Sequence, residues 1–85
     1  VKGESMIDAG IMDGDLVVIE KRDTARNGEI VVALINNEEA TLKRLQNNND
    51  GSVTLLPENS AMKPMSYPAE QVQIQGVLVS LLRRY

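Results

Sequence analysis

Short apolar runs separated by turn residues constrain the fold of this chain more than any other feature of its sequence. Three of these runs are rich in β-branched side chains, which is typical of strands: Leu16 to Ile19, Ile30 to Ile35 and Val53 to Leu56. No amphipathic helical segment of about 10–15 residues separates them, so parallel strands with crossover helices are not expected. We therefore predict one mainly β domain over residues 1–85: a small, twisted antiparallel β domain with one short helix near the N-terminus.

Turn-forming residues locate the strand boundaries. The pair Asn36-Asn37 tolerates positive φ, which predicts a two-residue hairpin with a return strand over Glu39 to Leu45. Pro57 ends the strand that is predicted over Val53 to Leu56. The segment from Glu58 to Pro68 contains two further prolines and is predicted to be irregular.

The first residues predict a single helical turn from Ser5 to Ala9. Ser5 is a good N-cap, Asp8 three residues later can complete a capping box, and Gly10 can end the turn. A helix start also presents unpaired backbone N–H groups. Such groups around Gly3, Glu4 and Ser5 could bind the oxyanion of an acyl-transfer intermediate.

The last stretch, Val72 to Arg84, changes its pattern halfway. Its first four residues alternate apolar and polar, which predicts a strand with one wet face, whereas Val77 to Leu82 is apolar on both faces. A domain of this size has one core, so the second face predicts a homodimer through this C-terminal strand, by antiparallel pairing of unpaired edges. The alternative is a central strand that is covered on both sides within one chain.

Composition removes several classes of function. The chain contains no Cys and no His, which excludes disulfides, His-based triads and most zinc sites, and no metal or cofactor is expected. Its net charge of −3 argues against DNA binding by this segment. No apolar run is long enough to span a membrane, and the lack of cysteine agrees with a cytoplasmic location. A nucleophile here must be a hydroxyl, and its base must be Lys, Asp or Glu.

Ser5 and Lys43 are the candidate catalytic residues. A serine hydroxyl becomes a good nucleophile when a neighbouring base takes its proton, and a lysine can do this only when it is neutral. Burial lowers a lysine pKa, and Leu42 and Leu45 supply apolar neighbours for Lys43. Thr41 lies two residues away on the same strand face, where its hydroxyl can orient the amine. The plainer alternatives are an N-cap serine, a solvated edge lysine and an ordinary cross-strand threonine.

Asp13 and Asp15 offer a rival site, either an acid/base pair or a cation site. The sequence Asp13-Gly14-Asp15 is also a common turn, and no full calcium-binding loop follows it. A solvated turn is the interpretation that we favour for both carboxylates.

The motifs occur along nearly the whole chain in a fixed order. They are Val1-x-Gly3-x-Ser5-Met6, Gly10-Ile11-x-Asp13-Gly14-Asp15, Asn27-Gly28-x-Ile30-Val31-Val32-Ala33, Ala40-Thr41-Leu42-Lys43-Arg44-Leu45, Leu56-Pro57-x-Asn59, and Gly76-x-Leu78-Val79 with Arg83-Arg84. This ordered set resembles the self-cleaving domain of the LexA repressor family.

The resemblance implies a function. In that family a DNA-binding helix-turn-helix domain and a linker with a scissile Ala-Gly bond precede this domain, and a RecA filament on single-stranded DNA stimulates self-cleavage. Ser5 would be the nucleophile and Lys43 the general base. The chain would be the protease half without its DNA-binding domain, linker and cleavage site, and would meet operator DNA only through the missing domain. Ala9-Gly10 is not expected to be the scissile bond, because it follows the nucleophile directly.

Other interpretations stay open. UmuD-type polymerase accessory proteins and phage repressors share the dyad. Signal peptidases use a Ser-Met motif with a lysine base, but they need a membrane anchor that this sequence lacks. From a different class, the chain could be a β dimerisation module without catalysis. Labelling by a serine-reactive probe separates that class from the others.

Overall fold

The structure is a computed structural model that describes residues 1–83, and it consists mainly of one antiparallel sheet. Its strands are β1 (Leu16–Lys21), β2 (Ile30–Ile35), β3 (Glu39–Asn47), β4 (Ser52–Leu56), β5 (Met65–Pro68) and β6 (Val72–Leu82). Two 3₁₀ helices, Ile7–Ala9 and Ala69–Gln71, complete the described elements. The strand order is β1-β6-β2-β3-β4-β5, with antiparallel pairing throughout. The predicted mainly β fold with a short helical turn near the N-terminus is confirmed.

One face of the sheet holds the hydrophobic core. Side chains alternate between faces along a strand, so residues two apart in β2, β3 and β4 meet on the same side. The buried residues of this core come from four strands: Val31, Ala33, Leu45, Val53, Leu55 and Val77. Tyr67 of β5 and Ile74 of β6 pack against them. This apolar face is also the face on which Lys43 lies.

The hairpin between β2 and β3 differs by one residue from the prediction. Asn36 and Asn37 have φ of 52° and 58°, as expected for a turn of this kind, and the Glu38 N–H donates to the Ile35 carbonyl at 3.0 Å. The ladder, however, pairs Ile35 with Glu39, so three residues separate the paired positions rather than two. Glu38 closes the turn and is not part of the ladder.

The proline-rich segment after β4 is not irregular throughout, so that prediction is wrong for its last four residues. Met65–Pro68 forms β5, with Leu55 opposite Met65 and Val53 opposite Tyr67. The strand lies at the edge of the sheet and Pro68 is its last residue. A proline is tolerated there because one side of an edge strand needs no ladder donor.

The N-terminal turn begins later than predicted. It spans Ile7–Ala9 with Met6 at the N-cap position and without a side-chain cap, so the predicted Ser5 cap and capping box are wrong. The Asp8 carboxylate instead accepts a hydrogen bond from the Ser60 N–H at 2.9 Å. Gly10 ends the turn in the left-handed region, as predicted. One 3₁₀ turn aligns too few peptide dipoles to act as a helix N-terminus.

Strand β6 is central, so the predicted unpaired edge is wrong for Val72–Leu82. It pairs with β1 on one side and β2 on the other, and it bulges once against each. Gly76 permits the close contact with β1, because a Cβ there would lie 2.2 Å from Cγ2 of Ile19. The predicted stretch continued to Arg84, which lies outside the described residues together with Tyr85.

The far end of β6 still has an exposed apolar face. Val79 and Leu82 of β6 are 55% and 56% exposed, and Leu16 of β1 is 66% exposed, with Val18 beside them. We call these four residues the β1–β6 patch. The central position of β6 in the sheet therefore does not cover both of its faces. Separately, no helix within residues 1–83 is long and apolar enough to cross a bilayer.

Candidate active site

Ser5 and Lys43, which are 38 positions apart in the sequence, line the same two adjoining cavities. The first has a volume of 520 Å³ and also touches Met6, Val17 and Val32. The second, of 510 Å³, extends from the pair across the core face of the sheet. The fold thus brings together the two residues that the sequence singled out.

Lys43 is placed on the apolar face by the alternation of β3. It pairs with Val31, whose exposed fraction is 0%, and Leu45 follows two residues later on the same face. Burial lowers the pKa of the Lys43 amine from its ordinary value of 10.5, while the Glu39 carboxylate acts in the opposite direction. A lysine in these surroundings loses its proton more readily than one on the surface.

Thr41 has the contact that its position predicted. The Lys43 amine donates a hydrogen bond to Oγ1 of Thr41, on the same face of β3. This bond fixes the direction of the lysine side chain. Ser5 and Lys43 are not hydrogen-bonded to each other here; such contacts often tighten only when substrate is bound.

The Ser5 segment is held by the loop that follows β4. The Asn59 side-chain amide donates to the Glu4 carbonyl at 2.8 Å, and the Asp8 N–H donates to the Glu58 carbonyl at 2.7 Å. These bonds fix the chain on both sides of Ser5. Met6, the residue after Ser5, is buried, with 2% of its surface exposed. Asn59 belongs to a motif noted in the sequence, but nothing in the sequence tied it to Ser5.

The backbone groups expected to bind an oxyanion are only partly free. The Gly3 N–H donates to the Asp13 carboxylate at 2.6 Å, so Gly3 does not contribute a donor. The N–H groups of Glu4 and Ser5 have no hydrogen-bond partner among residues 1–83. These two groups are therefore the donors that the site can offer.

Asp13 and Asp15 have structural roles rather than forming a pair of catalytic acids. Asp13 is exposed, whereas Asp15 is only 5% exposed, so the expected solvated turn is wrong for Asp15. Hydrogen bonds from Arg83 and from the Met12 N–H lower the pKa of Asp15 from 3.8 to about 2. Its partner lies 68 residues away, and the spacing along the chain gave no sign of it.

The second cavity is a largely apolar groove beside the dyad. Its apolar lining comes from β2, β4, β5 and the loop before β5: Ile35, Leu55, Pro57, Met62, Met65 and Tyr67. Lys63 and Glu39 also line it, and both are exposed at its rim. Such a groove can accommodate an extended peptide with apolar side chains while its backbone passes Ser5.

Comparison with known proteins identifies the family of this chain. Residues 1–79 match the Peptidase S24-like family. Over all 85 residues the chain is 56% identical to the LexA repressor of Erythrobacter litoralis, 53% to that of Gluconacetobacter diazotrophicus and 54% to that of Granulibacter bethesdensis. The chain spans about a third of the length of these curated relatives, at 36%, 33% and 35%. Because the family match extends over almost its whole length, the chain belongs to the Peptidase S24-like family.

Proposed function

We propose that this chain is the autoproteolytic and dimerisation domain of a LexA-like SOS-response transcriptional repressor, and that Ser5 and Lys43 form its catalytic dyad. One observation carries the proposal: a lysine on the apolar face of the sheet lines the same cavities as a half-buried serine. The chain contains no histidine, so lysine is the natural base at neutral to alkaline pH.

The reaction is an acyl transfer followed by hydrolysis. Neutral Lys43 takes the proton of Ser5 Oγ as this oxygen attacks the carbonyl carbon of the scissile bond. The N–H groups of Glu4 and Ser5 stabilise the resulting oxyanion. The lysine ammonium then protonates the leaving amine, which breaks the C–N bond and leaves an ester on Ser5. The same lysine then takes a proton from water, whose oxygen attacks the ester carbon, and it returns this proton to Ser5 Oγ as the ester C–O bond breaks and the acid product leaves.

The substrate is the linker of the repressor's own full-length chain. The scissile Ala-Gly bond lies there and not at Ala9-Gly10, since Gly10 ends the 3₁₀ turn next to the nucleophile. The apolar groove with Met62 and Tyr67 receives the residues beside the bond. A linker that must enter a groove on its own domain is cut slowly until something favours its docking.

Regulation and assembly belong to the whole repressor. A RecA filament on single-stranded DNA favours the docked linker, and cleavage separates the DNA-binding domain from this one in the cytoplasm. The β1–β6 patch joins two copies, which places two DNA-binding domains on the half-sites of an operator. The relatives named LexA repressor support the assignment as a repressor, and the exposed apolar side chains of the β1–β6 patch support an interface between two copies.

A serine-reactive fluorophosphonate tests the proposal against a dimerisation module without catalysis. The 85-residue chain should be labelled at Ser5, faster at pH 9 than at pH 7, and the Ser5→Ala variant should not be labelled there. The β1–β6 patch alone would suit a non-catalytic module equally well. Absence of Ser5 labelling in the folded chain at alkaline pH would favour the module.

A further inference from the structure

Asp15 connects the two ends of the segment that carries Ser5: its backbone carbonyl accepts a hydrogen bond from Val1, and its carboxylate pairs with Arg83, which also binds Gly10. Asp15 lies just before β1 and Arg83 just after β6, and neither lines the cavities at the dyad. We propose that Arg83 is a positioning residue that holds the Ser5 hydroxyl in place through Asp15 and Gly10. The proposal rests on the function proposed above, in which Ser5 is the nucleophile.

The beginning of the segment is tied to Asp15 through the backbone. The Val1 amino group donates to the Asp15 carbonyl at 2.8 Å, and the Gly14 N–H donates back to the Val1 carbonyl at 2.8 Å. An amide N–H at this position in a longer chain can donate in the same way. The entry to the Ser5 segment therefore moves with the backbone at residues 14–15.

The end of the segment is tied to the same point through side chains. Arg83 Nε donates to Oδ1 of Asp15 at 3.0 Å, and its Nη2 donates both to Oδ2 of Asp15 at 2.7 Å and to the Gly10 carbonyl at 2.5 Å. The same Oδ2 accepts the Met12 N–H at 2.7 Å. Only a guanidinium presents several donors in this fixed fork.

This geometry separates placement of the nucleophile from stability of the sheet. Ladder pairing joins Leu16 to Leu82, so β1 and β6 stay paired without the Arg83 side chain. The carbonyl of Gly10, by contrast, loses the donor that fixes the exit of the Ser5 segment. Ile7–Ala9 is too short to hold its own orientation. Loss of Arg83 should thus misplace Ser5 more than it unfolds the domain.

The test measures fluorophosphonate labelling of Ser5 in the 85-residue chain at increasing probe concentration. The Arg83→Gln and Asp15→Asn variants should each lower the maximal labelling rate about tenfold or more, because misplacement by about 1 Å can cost on the order of 100-fold. The probe concentration at half-maximal rate should stay unchanged. The matched control is Arg22→Gln, which removes an exposed arginine paired with Glu20 and should label like the parent.

Two further variants distinguish positioning from folding. The double variant Arg83→Gln/Asp15→Asn should label no more slowly than either single variant, because the two side chains act as a unit. Arg83→Lys should recover only part of the rate, since an ammonium lacks the fork. Thermal unfolding of every variant is followed in parallel, and labelling is measured well below each midpoint. If Arg83→Gln does not fold, Arg83→Lys and the double variant provide the comparison.

The labelling measurements distinguish a failure of the Arg83 role from a failure of the proposed function. Labelling of the folded Arg83 variants at the parent rate, or slowing only in proportion to their unfolded fraction, would overturn the positioning role while Ser5 remained the nucleophile. If the parent chain itself is not labelled, or if Ser5→Ala is labelled equally well at another site, the proposed function fails instead. A lower maximal rate with unchanged half-saturation and a fully folded chain supports the role of Arg83.

Discussion

Lys43 lies directly opposite Val31 in the ladder between β2 and β3, next to a side chain from which solvent is fully excluded. This relationship places an amine at the border of the hydrophobic core. It explains why the pKa of Lys43 is lowered, since burial disfavours the ammonium. The same relationship makes the ammonium form of Lys43 costly for stability.

The cost should be visible in the pH dependence of folding. Because the folded pKa of Lys43 lies below its ordinary value of 10.5, the unfolded chain binds more protons than the folded chain between those two values. The free energy of unfolding should therefore rise with pH across that window, and Lys43→Met should be more stable than the parent near neutral pH. Urea titrations at several pH values check both statements. Equal pH dependence in the parent and in Lys43→Met would contradict them.

Glu39 should lower the rate at which Ser5 is labelled at neutral pH. Its carboxylate lines both cavities and raises the pKa of Lys43, so Glu39→Gln should shift the pH–rate profile for Ser5 labelling to lower pH. Labelling at pH 7 should then be faster than in the parent. Glu38→Gln is the matched control, because Glu38 is adjacent and exposed but lines neither cavity. An unchanged profile for Glu39→Gln would remove this role.

Thr41 should orient the Lys43 amine. Thr41→Val keeps the shape of the side chain but removes Oγ1, the acceptor of the lysine N–H. We expect the labelling rate of Ser5 to fall roughly 2- to 10-fold, since one such hydrogen bond contributes about 0.5–1.5 kcal/mol. Thr41→Ser retains the hydroxyl and should label almost like the parent. Equal rates for the valine and serine variants would mean that the bond does not matter.

The β1–β6 patch should join two copies of the chain. Val79 is 55% exposed, so Val79→Lys should dissociate the dimer and leave a folded monomer. Leu78 is half-buried on the other face, so Leu78→Lys should instead destabilise the domain. Analytical ultracentrifugation with circular dichroism measures both properties. A parent chain that is monomeric at micromolar concentration would rule out this interface for the isolated domain.

The sequence predicted the elements better than their contacts. Runs such as Leu16–Lys21 and Ile30–Ile35 gave the strands correctly, because their local β preference agrees with the sheet. The strand at Met65–Pro68 was missed because prolines surround it, and its pairing with β4 is a long-range contact. The unpaired edge assigned to Val72–Leu82 was wrong, since only the topology places β1 beside it.

For the candidate site, the sequence indicated Ser5 and Lys43 but not the residues that hold them in place. Ser5 and Lys43 stood out by their chemistry and by a family resemblance, and Thr41 by its spacing of two residues along one strand. Arg83 binds Asp15, which lies 68 residues earlier in the sequence, and Asn59 binds Glu4, which lies 55 residues earlier. Contacts at such separation follow from how the chain folds over itself, which no local pattern encodes.

Self-cleavage of the full-length repressor proposed above, measured without RecA between pH 7 and pH 10, tests the roles of Ser5 and Lys43 most directly. We expect a first-order rate that rises with pH as neutral Lys43 becomes more populated. We also expect no cleavage by Ser5→Ala, and none by Lys43→Arg, because a guanidinium cannot accept the proton. Normal cleavage by either folded variant, or a flat pH profile of the parent, would contradict the assignment of Ser5 and Lys43 as nucleophile and base.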